Sequence, residues 1–174
     1  MPRPIGVIDA SCVIALDALK LLPQLTLLFH RLFIPKAVRH ELYRRRLTKN
    51  RISALLKEYT FVQPCDDYDQ AAVDVLLTER SRKAKKHRGE AETVVQATTL
   101  GAMAVIDDPW GRKLAGRYSL ECHGTLWVLE RSHALHLLTP PVVRQHLRQL
   151  KDHRIHFPVP AANQLLRRLG EPEI

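Results

Sequence analysis

Short apolar runs alternate with longer amphipathic segments along the chain, and this alternation predicts strands followed by helices. The run Ile5–Ile8 has the length of a buried strand, and apolar residues then recur at helical spacing until Pro23 interrupts them. The pattern predicts strands at residues 5–8, 32–34, 61–63, 103–106 and 119–122. It predicts helices at residues 10–22, 24–31, 36–46, 52–59, 68–83, 90–100 and 111–118, and three more beginning at Thr125, Pro140 and Ala161.

This order of elements predicts an α/β fold with a mostly parallel central sheet covered by helices on both faces. The length of 174 residues suits one domain over residues 1–174, with a helical C-terminal portion at residues 125–174. In such sheets, ligand sites form beyond the carboxyl ends of the strands. Chemistry-bearing residues that follow strands are therefore the first candidates for a functional site.

Composition excludes several classes of protein. The apolar stretches are broken within about ten residues, which is too short for a membrane span. The N-terminal residues have none of the features of a signal peptide, so the expected location is the cytoplasm. The three widely spaced cysteines fit reduced core thiols rather than a disulfide framework.

A formal net charge of +9 makes a polyanionic partner plausible. The excess is concentrated in two basic runs, at residues 44–51 and 80–88, that flank candidate acids. Since basic side chains neutralise phosphates, these runs indicate a nucleic-acid phosphodiester near those acids; the alternative is a solvated helix face. The residues proposed to contact this substrate are Ser11, Arg44, Arg45, Lys85, Lys86 and Arg88.

Carboxylates fall where a parallel sheet would gather them. Asp9 ends the first strand, and Asp107 with Asp108 closes a later one. Glu41 lies at the rim of the buried stripe of its helix. On the helix at residues 90–100, Glu90 is in line with apolar residues, which predicts that Glu90 points inward and that Glu92 points outward.

Several carboxylates in one place need a cation, and oxygen ligands without cysteine or paired histidine favour Mg²⁺ or Mn²⁺ over zinc. Ser11 would cap the following helix or bind a ligand water. Taken singly, the acids have structural alternatives, in which Asp9 caps a helix, Glu41 and Glu90 are surface residues, and Asp107 with Asp108 forms a turn. Cys12 and the two histidine pairs, at residues 133 and 136 and at residues 153 and 156, fit packed or solvated positions better than a site.

Four segments together resemble the PIN-domain family, in its VapC-like branch. They are V-I-D-A-S-C-V-I-A-L at residues 7–16, I-P-K-A-V-R-H-E-L at 34–42, G-E-A-E-T-V at 89–94 and A-V-I-D-D-P-W-G-R-K-L-A at 104–115. The likeness continues through Gly124-Thr125-Leu126 into the C-terminal helices. No single segment is specific, and the resemblance rests on their order.

The resemblance implies a three-layer α/β/α sandwich and a ribonuclease that uses Mg²⁺ or Mn²⁺. It implies catalytic acids at Asp9, Glu41, Glu90 and Asp108, with Asp107 as a further metal ligand or as the alternative to Asp108. It also implies the role of a toxin held by a small antitoxin protein, and a homodimer, for which Leu135, Leu137 and Leu138 offer apolar surface. The alternative is a PIN-fold module that binds RNA or protein and is catalytically weak or inactive.

Overall fold

Five parallel strands form the central sheet in the part of the chain that the structure describes. In this computed structural model, residues 3–44, 53–54, 56–57, 62–78 and 87–174 are described. The strands are β1 (Ile5–Ile8), β2 (Arg31–Pro35), β3 (Val62–Cys65), β4 (Met103–Val105) and β5 (Cys122–His123). Their order in the sheet is β3-β2-β1-β4-β5, and every neighbouring pair is parallel. The predicted parallel sheet is confirmed.

Nine α-helices in the described part of the chain flank this sheet. They are α1 (Ala10–Ala18), α2 (Leu25–Leu28), α3 (Lys36–Arg44), α4 (Gln70–Thr78), α5 (Arg88–Leu100), α6 (Pro109–Arg117), α7 (Thr125–Ala134), α8 (Pro140–Asp152) and α9 (Val159–Arg168). A short 3₁₀ helix, Leu22–Gln24, precedes α2. The predicted three-layer α/β/α architecture is therefore confirmed.

The two faces of the sheet have separate hydrophobic cores, as side-chain alternation along a strand requires. On β1, Ile8 packs with α1, α2 and the C-terminal helices, whereas Val7 packs with α4, α5 and α6. On β4, Val105 and Ala104 divide in the same way. Strands buried on both faces read as continuous apolar runs, which is why the sequence revealed β1 and β4 well.

Several predicted bounds were wrong, and local turns explain the errors. Ser119 has a left-handed backbone with φ of 52°, and the Leu120 N–H donates to Ala115 O, so a turn occupies most of the strand predicted at residues 119–122. Lys20, with φ of 60°, ends α1 before the predicted residue 22. The segment predicted as a helix at residues 24–31 has only one α-helical turn, because Arg31 already belongs to β2.

Some predicted elements reach beyond the described residues. Of the helix predicted at residues 52–59, only 53, 54, 56 and 57 are described, and these are helical. Residues 45–46 and 79–83, predicted as helix ends, and residue 61 of a predicted strand lie outside the described part.

No single helix in the described ranges is both long and apolar enough to cross a membrane; only the bent pair formed by residues 10–18 and 22–28 would satisfy length and composition together.

Candidate metal centre

Four of the predicted acids line one cavity at the carboxyl edge of the sheet. The cavity measures about 510 Å³, and Asp9, Glu41, Glu90 and Asp108 all contribute to its wall. Asp9 follows β1 directly and Asp108 lies just beyond β4, while α3 and α5 supply the two glutamates. Neighbouring parallel strands end at the same edge, so the sheet itself brings the two aspartates together.

Asp9 is the N-cap of α1 and is buried. Its Oδ2 accepts hydrogen bonds from the Ser11 backbone N–H at 3.1 Å and from Ser11 Oγ at 2.6 Å. Burial raises the pKa of Asp9 to about 6. Asp9 therefore both caps α1, as its structural alternative predicted, and lines the cavity. The prediction that Ser11 caps the helix was wrong, because Ser11 lies inside α1.

Glu90 lies in the first turn of α5, with its side chain inside the cavity wall, so the alternative of a surface position is excluded. The residue is 8% exposed, and its Oε1 lies 3.3 Å from Nδ1 of His87. Glu90 Oε2 is buried and has no hydrogen-bond partner among the described residues. Burial, with the charge of Asp9 as the next cause, raises the pKa of Glu90 to about 8. Near pH 7 this carboxyl therefore needs a proton or a cation.

Gly89 faces two of the acids that line the cavity. A Cβ at Gly89 would lie 3.4 Å from Asp9 Oδ1 and 3.8 Å from Glu41 Oε2. Any side chain there would therefore enter the space between these two carboxylates. The Gly-Glu pair in the sequence supplies one ligand candidate and the room in front of it.

The neighbouring acids Asp107 and Asp108 face different surroundings. Asp107 Oδ1 accepts from the Thr125 backbone N–H at 2.9 Å, and its Oδ2 accepts from Thr125 Oγ1 at 2.5 Å and Cys12 Sγ at 3.2 Å. Asp108 is the N-cap of α6, and its Oδ1 accepts from the backbone N–H groups of Trp110 and Gly111. Asp107 is absent from the lining of the cavity, so Asp108 is the better placed of the two alternatives.

The prediction that Glu92 points outward was wrong. Glu92 is 1% exposed, and it accepts hydrogen bonds from the Ala37 backbone N–H, Tyr68 Oη and Arg88 Nε. The helical-wheel argument assumed one buried face, but every residue of α5 from Gly89 to Ala97 is buried. Glu92 links α3, the segment before α4 and the first turn of α5, and it holds the wall of the cavity in place.

His87 is a site residue that the sequence reasoning missed. One ring nitrogen of His87, one oxygen of Glu90 and one oxygen of Asp108 all lie within 4.8 Å of one another, an arrangement that could hold a metal ion. The His87 ring also packs against Trp110, with ring centroids 5.0 Å apart. Only pairs of histidines were considered in the sequence, and the single His87, which precedes α5, offers no signal there beyond its closeness to Glu90.

The predicted substrate-binding residues are only partly described. Ser11, Arg44 and Arg88 line the cavity, whereas Arg45, Lys85 and Lys86 lie outside the described residues. Arg88 is held by Glu92, with a second contact of 3.5 Å to Asp74. Arg44 is exposed at the C-terminal end of α3 and can contact a phosphate directly, whereas Arg88 would have to break its ion pair with Glu92 to do so.

A second cavity of about 310 Å³ adjoins the first, since Ser11, Ile14 and Asp108 line both. Its far wall is the segment after α8, with His153, Arg154 and His156.

The histidines and cysteines singled out in the sequence are solvated or packed. His153 and His156 are exposed, whereas His133 is partly buried and its Nδ1 lies 2.9 Å from Leu138 O. Cys12, Cys65 and Cys122 are free thiols, but Cys12 is buried whereas Cys65 and Cys122 are partly exposed, so the prediction of core thiols holds for Cys12 alone.

The donor set suits a hard divalent cation. Several carboxylates share a confined cavity, and one buried oxygen, Glu90 Oε2, has no hydrogen-bond donor in the described part of the chain. Positive charge in this cavity would relieve the repulsion that contributes to the raised pKa values of Asp9 and Glu90. The residues present therefore fit a metal ion: potential ligand atoms of His87, Glu90 and Asp108 lie within 4.8 Å of one another, and Asp9 and Glu41 line the same cavity.

Comparison with models of protein families gives a match over residues 5–171 to a family described as a PIN domain. No curated protein matches the chain. The match does not single out the VapC-like branch.

Proposed function

Because the match over residues 5–171 shows that the chain belongs to the PIN-domain family, we propose that it is an endoribonuclease that uses Mg²⁺ or Mn²⁺ to cleave RNA phosphodiester bonds. PIN domains are generally metal-dependent nucleases, and this fold positions a group of acids that can bind metal. The proposal includes RNA rather than DNA as the substrate. It also includes Mg²⁺ or Mn²⁺ rather than another ion as the metal.

The observation that carries the proposal is the shared cavity of Asp9, Glu41, Glu90 and Asp108. These residues come from four separate segments of the chain, and a fold without this function has no need to gather them. Burying them together is unfavourable without a cation: burial first, and the charge of Asp9 second, raise the pKa of Glu90 to about 8. A metal-dependent reaction on a phosphodiester explains both the gathered acids and the basic residues around them.

The protein holds these acids in defined orientations. Ser11 fixes Asp9 through its hydroxyl and backbone N–H, and the first turn of α6 fixes Asp108 through two backbone N–H groups. When bound, a divalent ion supplies water activation and stabilises the charge that develops on the phosphoryl group. Arg44, at the rim, would bind an adjacent phosphate and orient the strand.

The two adjoining cavities suggest the path of the RNA strand. Ser11, Ile14 and Asp108 lie between them, with Arg44 at one side and Arg154 at the other. Both arginines are exposed. A single strand crossing the acids would therefore have a cation available on each side of the bond that is cleaved.

The decisive experiment is RNA cleavage by purified protein with Mg²⁺, Mn²⁺ or EDTA. We expect cleavage only with a divalent ion, and a decrease of at least about 100-fold in Asp9→Asn, which keeps the size of the side chain while removing its charge. Asp17→Asn on the same helix is the matched control and should cleave normally. Cleavage that survives in Asp9→Asn would refute the mechanism, and metal-independent RNA binding without cleavage would favour the non-cutting alternative.

We further propose that the protein acts in the cytoplasm as a toxin, is restrained by a small antitoxin that covers the acidic cavity, and forms a homodimer. Leu135 and Leu137, which are 41% and 38% exposed after α7, offer apolar surface for the dimer. The prediction that Leu138 shares this surface was wrong, because Leu138 is buried. Light scattering that shows a monomer at micromolar concentration would refute the dimer, and Leu135→Ser with Leu137→Ser should convert a dimer to a monomer.

A further inference from the structure

The acid cavity contains a nitrogen donor as well as oxygens. His87 precedes α5 by one residue, and its Nδ1 lies 3.3 Å from Glu90 Oε1. The potential ligand atoms of His87, Glu90 and Asp108 lie within 4.8 Å of one another. Two ligands at right angles around an ion with bonds of about 2.1 Å lie about 3 Å apart, so the His87–Glu90 distance already suits a shared ion.

Two observations besides this grouping indicate that an ion belongs between these side chains. Glu90 is 8% exposed, and its Oε2 has no hydrogen-bond donor within the described ranges. The His87 ring is positioned by its packing on Trp110, whose backbone N–H in turn donates to Asp108 Oδ1. Trp110 and Asp108, both at the start of α6, thus connect the His87 ring to one of the two carboxylates.

We propose that His87 is a metal ligand, together with Glu90 and Asp108, and that its imidazole makes the centre select Mn²⁺ over Mg²⁺. This inference rests on the proposed metal-dependent function and specifies the metal. Mg²⁺ strongly prefers oxygen ligands and gives up its waters reluctantly, whereas first-row transition metals accept imidazole. Among these metals, Mn²⁺ best suits a set in which carboxylates remain the majority.

Pulsed electron paramagnetic resonance of the Mn²⁺-loaded protein tests this ligand directly, without any activity measurement. We expect echo modulation from a coordinated ¹⁴N in the wild-type protein and its loss in His87→Asn, which offers an amide oxygen in place of the ring nitrogen. His40→Asn is the matched control, since His40 lines the same cavity but does not belong to the ligand group. It should keep the nitrogen signal.

Calorimetric titration gives the second readout. The ratio of the dissociation constants for Mg²⁺ and Mn²⁺ should fall by about tenfold or more in His87→Asn and stay unchanged in His40→Asn. Circular dichroism would confirm folding, and His87→Gln provides a second variant should His87→Asn fail to fold.

The results separate this inference from the proposed function. Saturable Mn²⁺ binding without ¹⁴N modulation, or with modulation that persists in both His87 variants, would overturn the role of His87 and leave the nuclease proposal standing. Absence of saturable binding of either ion to the wild-type protein would overturn both.

Discussion

Asp107 and Asp108 are adjacent in sequence, yet their side chains have different partners and should have separable functions. Asp107 accepts three hydrogen bonds from Thr125 and Cys12, and Gly124 allows this approach, because a Cβ there would come within 2.2 Å of Asp107 Oδ1. Asp107 therefore fastens the start of α7 to the end of β4. Asp108 caps α6 and lines the acid cavity.

Alanine variants of these two residues should separate stability from metal binding. Asp107→Ala leaves buried donors without an acceptor and should lower the free energy of unfolding by about 2–4 kcal/mol. Asp108→Ala loses a helix cap and should lower the free energy of unfolding by only about 1 kcal/mol. It should, however, weaken Mn²⁺ binding more than Asp107→Ala does. Denaturation in EDTA and calorimetric titration of Mn²⁺ measure the two effects. The reverse ranking in either measurement would contradict these assignments.

Glu90 should make the metal-free protein sensitive to pH. Its pKa is about 8 in the folded protein against an ordinary value of 4.5, because burial disfavours the ionised form. The folded state therefore holds this proton more tightly than the unfolded state, so the stabilising effect is complete below about pH 4.5 and is lost as the pH rises through about 8. Asp9, with a pKa of about 6, contributes in the same direction at lower pH.

Glu90→Gln removes this titration and keeps the size of the side chain. In EDTA at pH 8, the variant should be more stable than the wild-type protein by a few kcal/mol, and the difference should shrink towards pH 5. Urea denaturation across this pH range provides the measurement. A wild-type protein that gains stability between pH 5 and 8 relative to Glu90→Gln would show that the sign is wrong.

At the scale of elements, α5 is the central helix of the site because it packs against α3, α4, α6 and the sheet. Glu92 anchors it through Ala37 of α3, Tyr68 and Arg88. Such a buried acid with three donors is a structural feature rather than a spare metal ligand. Its loss would displace the first turn of α5, and with it Glu90.

Removing the Glu92 carboxylate should destabilise the protein by about 3–5 kcal/mol, since Glu92→Ala leaves Arg88 and two further donors without their partner. Asp74→Ala is the matched control, because Asp74 is an exposed acid that also contacts Arg88, at 3.5 Å. The control should change stability by less than about 0.5 kcal/mol. Thermal or urea unfolding of both variants decides the comparison, and equal effects would refute the anchoring role.

Sequence patterns predicted best those elements that depend on residues close together in the chain. The apolar runs of β1 and β4, and Gly101 with its left-handed φ of 57° at the end of α5, are visible in the sequence. The positions of Glu92 and His87 are not, since they depend on α3, Tyr68 and Trp110, which approach α5 from distant parts of the chain. The chain order of the four acids was readable, whereas their hydrogen-bond partners required the fold.

At the scale of the whole molecule, the net charge of +9 can help to bind RNA at the site only if some of the basic residues lie beside the acids. Arg44 and Arg154 meet this condition in the described structure, since each lines one of the two adjoining cavities. Single-stranded RNA releases bound counterions when cations of a protein replace them, so the salt dependence of binding reports the number of phosphates neutralised. The proposed path of the strand therefore has a measurable electrostatic signature.

RNA binding by the Asp9→Asn variant, which should not cleave, allows this signature to be measured at equilibrium. Replacing Arg154 with alanine in this background should weaken binding and reduce the slope of log K against log salt concentration by about 0.7, the value for one phosphate contact on a single strand. Arg44→Ala should have a similar effect. Arg167→Ala is the control, because Arg167 pairs with Glu173 near the C-terminus and should leave the slope unchanged. A slope that responds equally to all three changes would mean that the net charge alone attracts RNA, and the strand would then have no preferred path between the two cavities.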